Sequence, residues 1–118
     1  SPVRDFTFVK DTVRGFILAA EAESIEGELI NIGFGKGTSI GDLAESIMEI
    51  TGIKKEIITD EERIRPEDSE VFELICDNKK AYDLLEWKPS IELTQGLEET
   101  AEFISENIHL FKTNQYSI

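Results

Sequence analysis

Apolar positions recur along the chain with two periods, and the change from one to the other marks where elements begin and end. Leu29-Ile30-Asn31-Ile32 is a short, mostly apolar run rich in β-branched residues, which predicts a strand covered on both faces. Gly33, Gly35 and Gly37 interrupt it. The spacing then lengthens: Ile40, Leu43, Ala44, Ile47 and Met48 fall on one stripe of a helix. Ser39 is placed to cap that helix, Asp42 completes a variant of the capping box, and Gly52 stands where a left-handed terminator belongs. Lys55 to Thr59, centred on Ile57-Ile58, predicts a second strand. The unit is then β-α-β, with a right-handed crossover as the default.

Before this unit, Arg4 to Val9 is strand-like, and Asp11 is positioned to cap a helix in which Val13, Phe16, Ile17 and Ala20 fall on one face. The chain opens Ser1-Pro2-Val3 without Met and enters its first element almost at once, so it is expected to be a piece of a longer protein. After Thr59, Asp60 to Glu70 is a charged loop in which Pro66 holds Arg65 extended. Val71 to Cys76 predicts a short edge strand. Asp77 is placed to cap a further helix with Ala81, Leu84 and Leu85 inward, and Pro89 ensures its end. Leu93, Leu97, Ala101, Ile104 and Ile108 mark a last amphipathic helix through about His109. No internal repeat or low-complexity segment interrupts the pattern.

At 118 residues the chain is one domain, residues 1–118, with 40% hydrophobic residues and seven Phe to build a core. A net charge of −13 argues against nucleic acid and against an anionic membrane surface as partners. The single cysteine, Cys76, cannot form an internal disulfide, which fits a reducing compartment, and the cytoplasm is the expected location. No apolar run approaches the ~20 residues of a membrane span.

Candidate chemistry is sparse. Gly33-Phe34-Gly35-Lys36-Gly37 lies between strand and helix, but a GxGxxG from Gly33 would need glycine where Thr38 stands, and one from Gly35 where Ile40 stands. A glycine-rich turn is the better reading. His109 has no evident catalytic partner, and Cys76 lies in an apolar run that suits a small buried hydrophobe. The acidic residues from Asp60 to Glu70 lack the order of an EF-hand loop and read as a solvated segment. The arginines are more informative. All four fall in two places, Arg4 with Arg14 and Arg63 with Arg65. A guanidinium fixed on a strand or before proline suits bidentate contact with phosphate. Ion pairs with Asp5, Glu62 or Glu67 are the alternative, each worth under about 1 kcal/mol if exposed.

Six blocks in order carry a resemblance: Arg4-Asp5-Phe6-Thr7-Phe8-Val9-x-Asp11, Gly27-Glu28-x-Ile30-Asn31-Ile32-Gly33, Ser39-Ile40-x-Asp42-Leu43, Arg65-Pro66, Cys76-Asp77-Asn78-x-Lys80-Ala81-x-x-Leu84-Leu85-x-Trp87-x-Pro89, and Leu93-x-x-Gly96-Leu97. From Arg4 to Ile108 the chain resembles the carboxy-terminal part of the extended short-chain dehydrogenases/reductases that modify nucleotide-linked sugars. Arg63-x-Arg65-Pro66-Glu67-x-Ser69-Glu70-Val71 and Asn107-x-His109-Leu110 most resemble the NAD-dependent 4,6-dehydratases of acetamido-sugar nucleotides.

The resemblance implies an α+β substrate-binding domain, a small and mainly parallel sheet with amphipathic helices around it, lacking its Rossmann partner. It implies that Arg4 and Arg65 contact the nucleotide diphosphate and that Glu70 faces the nucleotide ribose. It also implies a parent enzyme, homodimeric, in which NAD bound by the missing Rossmann domain oxidises the sugar at C4, water is eliminated across C5 and C6, and the hydride returns. The family's Tyr-x-x-x-Lys pair has no counterpart, since Tyr82 is followed four residues on by Glu86, so no catalytic residue is assigned. A 4-epimerase, or a free-standing binding module without a catalytic parent, are the alternatives.

Overall fold

The computed structural model describes residues 1–60 and 64–111, Glu67 by its backbone alone. In chain order the elements are β1 (Val3–Asp5), α1 (Val9–Glu21), β2 (Gly37–Ser39), α2 (Ile40–Thr51), β3 (Glu73–Leu74), α3 (Lys79–Leu85) and α4 (Leu93–Glu106). Short 3-10 turns occupy Glu67–Ser69 and Ile108–Leu110. The class is α+β, as expected. The sheet is mixed rather than mainly parallel: β1 is central, antiparallel to β2 and parallel to β3. Arg4 stands opposite Thr38 on one side and Leu74 on the other. The expected edge strand is thus present, reduced to two residues.

The helix after the glycine turn forms as its sequence dictates. Ser39 Oγ accepts from the Asp42 amide at 3.0 Å, and Gly52 closes the helix at φ 69°. The strands expected on either side of it do not form. Leu29–Ile32 and Lys55–Thr59 belong to no strand, so the expected β-α-β unit around α2 does not form. A strand needs a neighbour for its amides and carbonyls, and the three-stranded sheet recruits Gly37–Ser39 instead.

The core gathers on Trp87, which is fully buried with Ala81 and Leu85 and covered by Leu18, Ala19, Ala22, Ile25, Ile30 and Ile32. The apolar stripe of α1 does not turn toward this core. Val13, Phe16 and Ile17 are half or more exposed, because the opposite side of the helix packs toward α3. Leu84 also faces out, while Ala81 and Leu85 turn in as expected. The capping of α1 differs as well: Phe8 is its N-cap, without a side-chain bond, and Asp11 lies inside the first turn, 1% exposed. At α3, Asp77 Oδ1 accepts from the Lys79 amide at 3.1 Å, although Asn78 is the cap position. The last helix stops at Glu106, short of His109.

Candidate functional site

A cleft of about 420 Å³ opens beside the central strand, lined by Arg4, Asp5, Thr7, Asn31, Ile32, Gly33, Leu74, Ile75, Cys76 and Asp77. Three segments distant in sequence meet there, and one side chain ties them. Asp5 Oδ1 accepts from the Phe34 amide at 2.9 Å, and its Oδ2 accepts from the Gly35 amide at 2.8 Å and the Cys76 amide at 3.1 Å. Asn78 adds a donor to the Gly33 carbonyl at 3.0 Å. The glycine turn therefore spends two of its amides on a carboxylate of the same chain. It is a structural turn, and the described residues do not fit NAD there: the amides that would cradle a pyrophosphate are already engaged.

Gly33 is required by close approach. A Cβ added there would lie 2.7 Å from the Cys76 sulfur and closer still to its Cβ. Cys76 itself is half-buried. Burial, with the Asp5 and Asp77 carboxylates, pushes its thiol above the ordinary value of 9.0, so at neutral pH it is a thiol and not a nucleophilic thiolate.

Two of the three expected site residues meet. Arg4 Nη2 donates to Glu70 Oε1 at 3.1 Å, and Nη1 donates to the Val3 carbonyl at 2.9 Å. The side chains are 23% and 25% exposed. Arg65 does not join them. It is exposed, lies outside the cleft lining, and forms no ion pair with the described residues. Pro66 beside it opens the 3-10 turn by accepting from the Ser69 amide at 2.9 Å. Arg63 lies outside the described residues. Arg14 parts company with Arg4: it donates to Asp11 at 3.0 Å and to the Lys88 carbonyl, and stacks over Trp87.

Asp11 is a second organising carboxylate, one that sequence reasoning assigned to the wrong amides. It accepts from the Ser90 and Ile91 amides at 3.0 Å each and from Ser90 Oγ at 2.8 Å, while its carbonyl accepts from Trp87 Nε1 at 2.9 Å. Burial raises its pKa, but the bonds from Ile91, Ser90 and Arg14 outweigh it and hold the carboxyl below the ordinary 3.8. The signals for Asp5 and Asp11 were both present, an acid in Arg4-Asp5-Phe6 and another two residues after Val9. Their partners lie 29 to 80 residues away and have no local signature.

His109 is exposed on the last 3-10 turn. Among the described residues no cluster of His, Cys, Asp or Glu could hold a metal, and no helix is long and apolar enough to cross a membrane.

The family profile described as GDP-mannose 4,6 dehydratase matches residues 1–100. The UDP-glucuronate 4-epimerase of Thermodesulfobacterium geofontis is 34% identical over 111 residues, 93% of this chain and 32% of the relative. The crystal structure of a UDP-glucose 4-epimerase with UDP-glucose from Thermotoga maritima superimposes with a TM-score of 0.78 at 36% identity, over 91% of this chain and 33% of that one. A UDP-glucuronic acid 4-epimerase from Bacillus cereus in complex with NAD gives 0.75 at 31% identity, over 94% and 33%. The chain thus spans about a third of the length of the relatives it matches. With the family profile covering 100 of 118 residues and the same fold in these structures, the chain belongs to the GDP-mannose 4,6 dehydratase family of extended short-chain dehydrogenases/reductases, the NAD-dependent sugar-nucleotide epimerases and dehydratases.

Proposed function

We propose that this chain supplies the nucleotide-diphosphate-sugar site of an NAD-dependent sugar-nucleotide 4,6-dehydratase, with Arg4 and Arg65 serving the diphosphate and Glu70 the nucleotide ribose. The observation that carries the reading is Arg4 itself. It is a guanidinium on the central strand, at the wall of a cleft, and already beside Glu70. A strand between two neighbours holds its side chains in fixed register, which is what bidentate phosphate recognition requires. Asp5 and Asp77 also line the cleft, yet both accept backbone amides, which blunts their repulsion of an anion.

NAD belongs, in this reading, to a dinucleotide-binding domain outside the chain, which also carries the reacting side chains. Dehydration is favoured by the likeness of Arg63-x-Arg65-Pro66-Glu67-x-Ser69-Glu70-Val71 to the acetamido-sugar dehydratases. C4 epimerisation is the second reading, favoured by the names of the relatives at 34% and 36% identity. The test uses the complete enzyme with UDP-N-acetylglucosamine. A 4-keto-6-deoxy product supports dehydration and a C4 epimer supports the second reading. Arg4→Ala and Arg65→Ala should each weaken nucleotide-sugar binding roughly tenfold to a hundredfold, the loss of one charge-assisted contact. Arg→Lys should recover only part of it, since the planar fork is lost. Unchanged affinity in both Ala variants refutes the site.

A further inference from the structure

We propose that Glu70 is an intramolecular competitor for the anion site: its carboxylate occupies the place on Arg4 that a diphosphate takes, and binding proceeds by exchange of one partner for the other. The inference rests on the assignment of Arg4 to the diphosphate but assigns Glu70 a role beyond contact with ribose. Arg4 is held at two points. Its bond to the Val3 carbonyl uses its own neighbouring residue and survives the arrival of a ligand. Its bond to Glu70 spans 66 residues and joins opposite charges at 3.1 Å, so an incoming anion must either displace that carboxylate or lie against it. Two like charges on one guanidinium repel, and displacement relieves the repulsion.

The surroundings make Glu70 the movable member. Asp5 is pinned by three backbone amides and Asp77 by one. Glu70 follows the turn closed by the Ser69 amide on the Pro66 carbonyl, and precedes Phe72, whose carbonyl accepts from the Val3 amide at 2.7 Å. It therefore sits on a short link between two anchored points and can swing without unmaking a helix or a strand. At about a quarter exposed, the pair is neither locked in the interior nor lost to solvent. Its worth is small enough for a multiply charged ligand to overcome. Glu70 should thus lower affinity for any phosphate-bearing anion, whatever nucleoside follows.

Inorganic pyrophosphate separates this role from ribose recognition, because it has no sugar. Titration calorimetry of the complete enzyme with pyrophosphate, and separately with UDP, is run on the unsubstituted protein, Glu70→Gln, Arg4→Ala and the double variant. Glu70→Gln should raise pyrophosphate affinity about threefold to tenfold. Arg4→Ala should abolish most of the binding, and the double variant should match Arg4→Ala, since the competitor acts only through that guanidinium. A gain with pyrophosphate and a smaller gain or a loss with UDP also supports the exchange, and adds a ribose contact after release. Unchanged or weaker pyrophosphate binding by Glu70→Gln, with Arg4→Ala still impaired, overturns the competition and leaves the diphosphate site standing. Unchanged binding by Arg4→Ala overturns the site itself. If neither the unsubstituted enzyme nor Glu70→Gln binds pyrophosphate, both fail.

Discussion

Replacing Asp11 by Ala should cost this fold far more than an ordinary surface substitution, because its carboxylate accepts two backbone amides of the segment leading into α4, 79 and 80 residues away. The Ser90 and Ile91 amides point at it from 3.0 Å each, and Asp11 is 1% exposed. Alanine leaves both donors without this acceptor, but Ser90 is exposed and its amide can turn to water, while Ile91 is partly buried. An orphaned buried donor costs about 1–3 kcal/mol, so with one donor partly rescued by water the loss is about 1–3 kcal/mol. Arg14 adds little, since at 39% exposure it can turn to solvent, and Ser90 Oγ can rotate to another partner. For a domain of this size the expected fall in Tm is on the order of 10 °C. Both amides meet the same oxygen, Oδ2, so Asn can keep them on its carbonyl oxygen and turns its NH2 toward Ser90 Oγ and Arg14, and only a minor part of the loss should remain. The pH dependence separates charge from shape. The folded carboxyl titrates below its ordinary 3.8, so its contribution is fully present above that value and is lost as pH falls through the lower folded value. Urea unfolding of the three proteins at pH 7 and pH 3 reads both effects. A loss under about 0.5 kcal/mol for Asp11→Ala, the range of an ordinary surface substitution, would refute the reasoning.

Gly33→Ala should destabilise by about 3 kcal/mol, because its methyl meets Cys76; adding Cys76→Gly should restore most of the loss while Cys76→Ala should not, and equal rescue by both would deny the Cβ–Cβ clash. Cys76 should alkylate slowly with iodoacetamide at pH 7 and accelerate only above pH 9, since its thiol is pushed up by burial and by Asp5 and Asp77; fast labelling at neutral pH would contradict that environment. Phe16→Ser should leave the melting temperature within about 2 °C and reduce binding of a hydrophobic dye, because the ring is 72% exposed; a large drop in stability would mean that the ring is covered.

What the sequence revealed depended on whether the deciding partner was near or far along the chain. The ends of α2 were legible because Ser39, Asp42 and Gly52 act within a few residues of themselves. Asp5 and Asp11 were not, because a carboxylate that accepts from distant amides looks in sequence like any other acid. Arg4 was singled out for its strand, and among the described residues its ion-pair partner is Glu70 rather than the neighbouring Asp5.

The facing of α1 shows what a hydrophobic period can and cannot specify. Val13, Phe16 and Ile17 form a stripe at helical spacing, and the helix is there, over Val9–Glu21. The stripe is nevertheless exposed, while Leu18, Ala19 and Ala22 cover Trp87. Periodicity states that a face is apolar; it does not state which body covers it. Leu29–Ile32 has the same character, a β-branched run with strand propensity that belongs to no strand, with Leu29 78% exposed. Within that run Ile30 and Ile32 pack on Trp87, so its apolar side is satisfied by the core without any strand partner, and β-branched propensity yields to that contact.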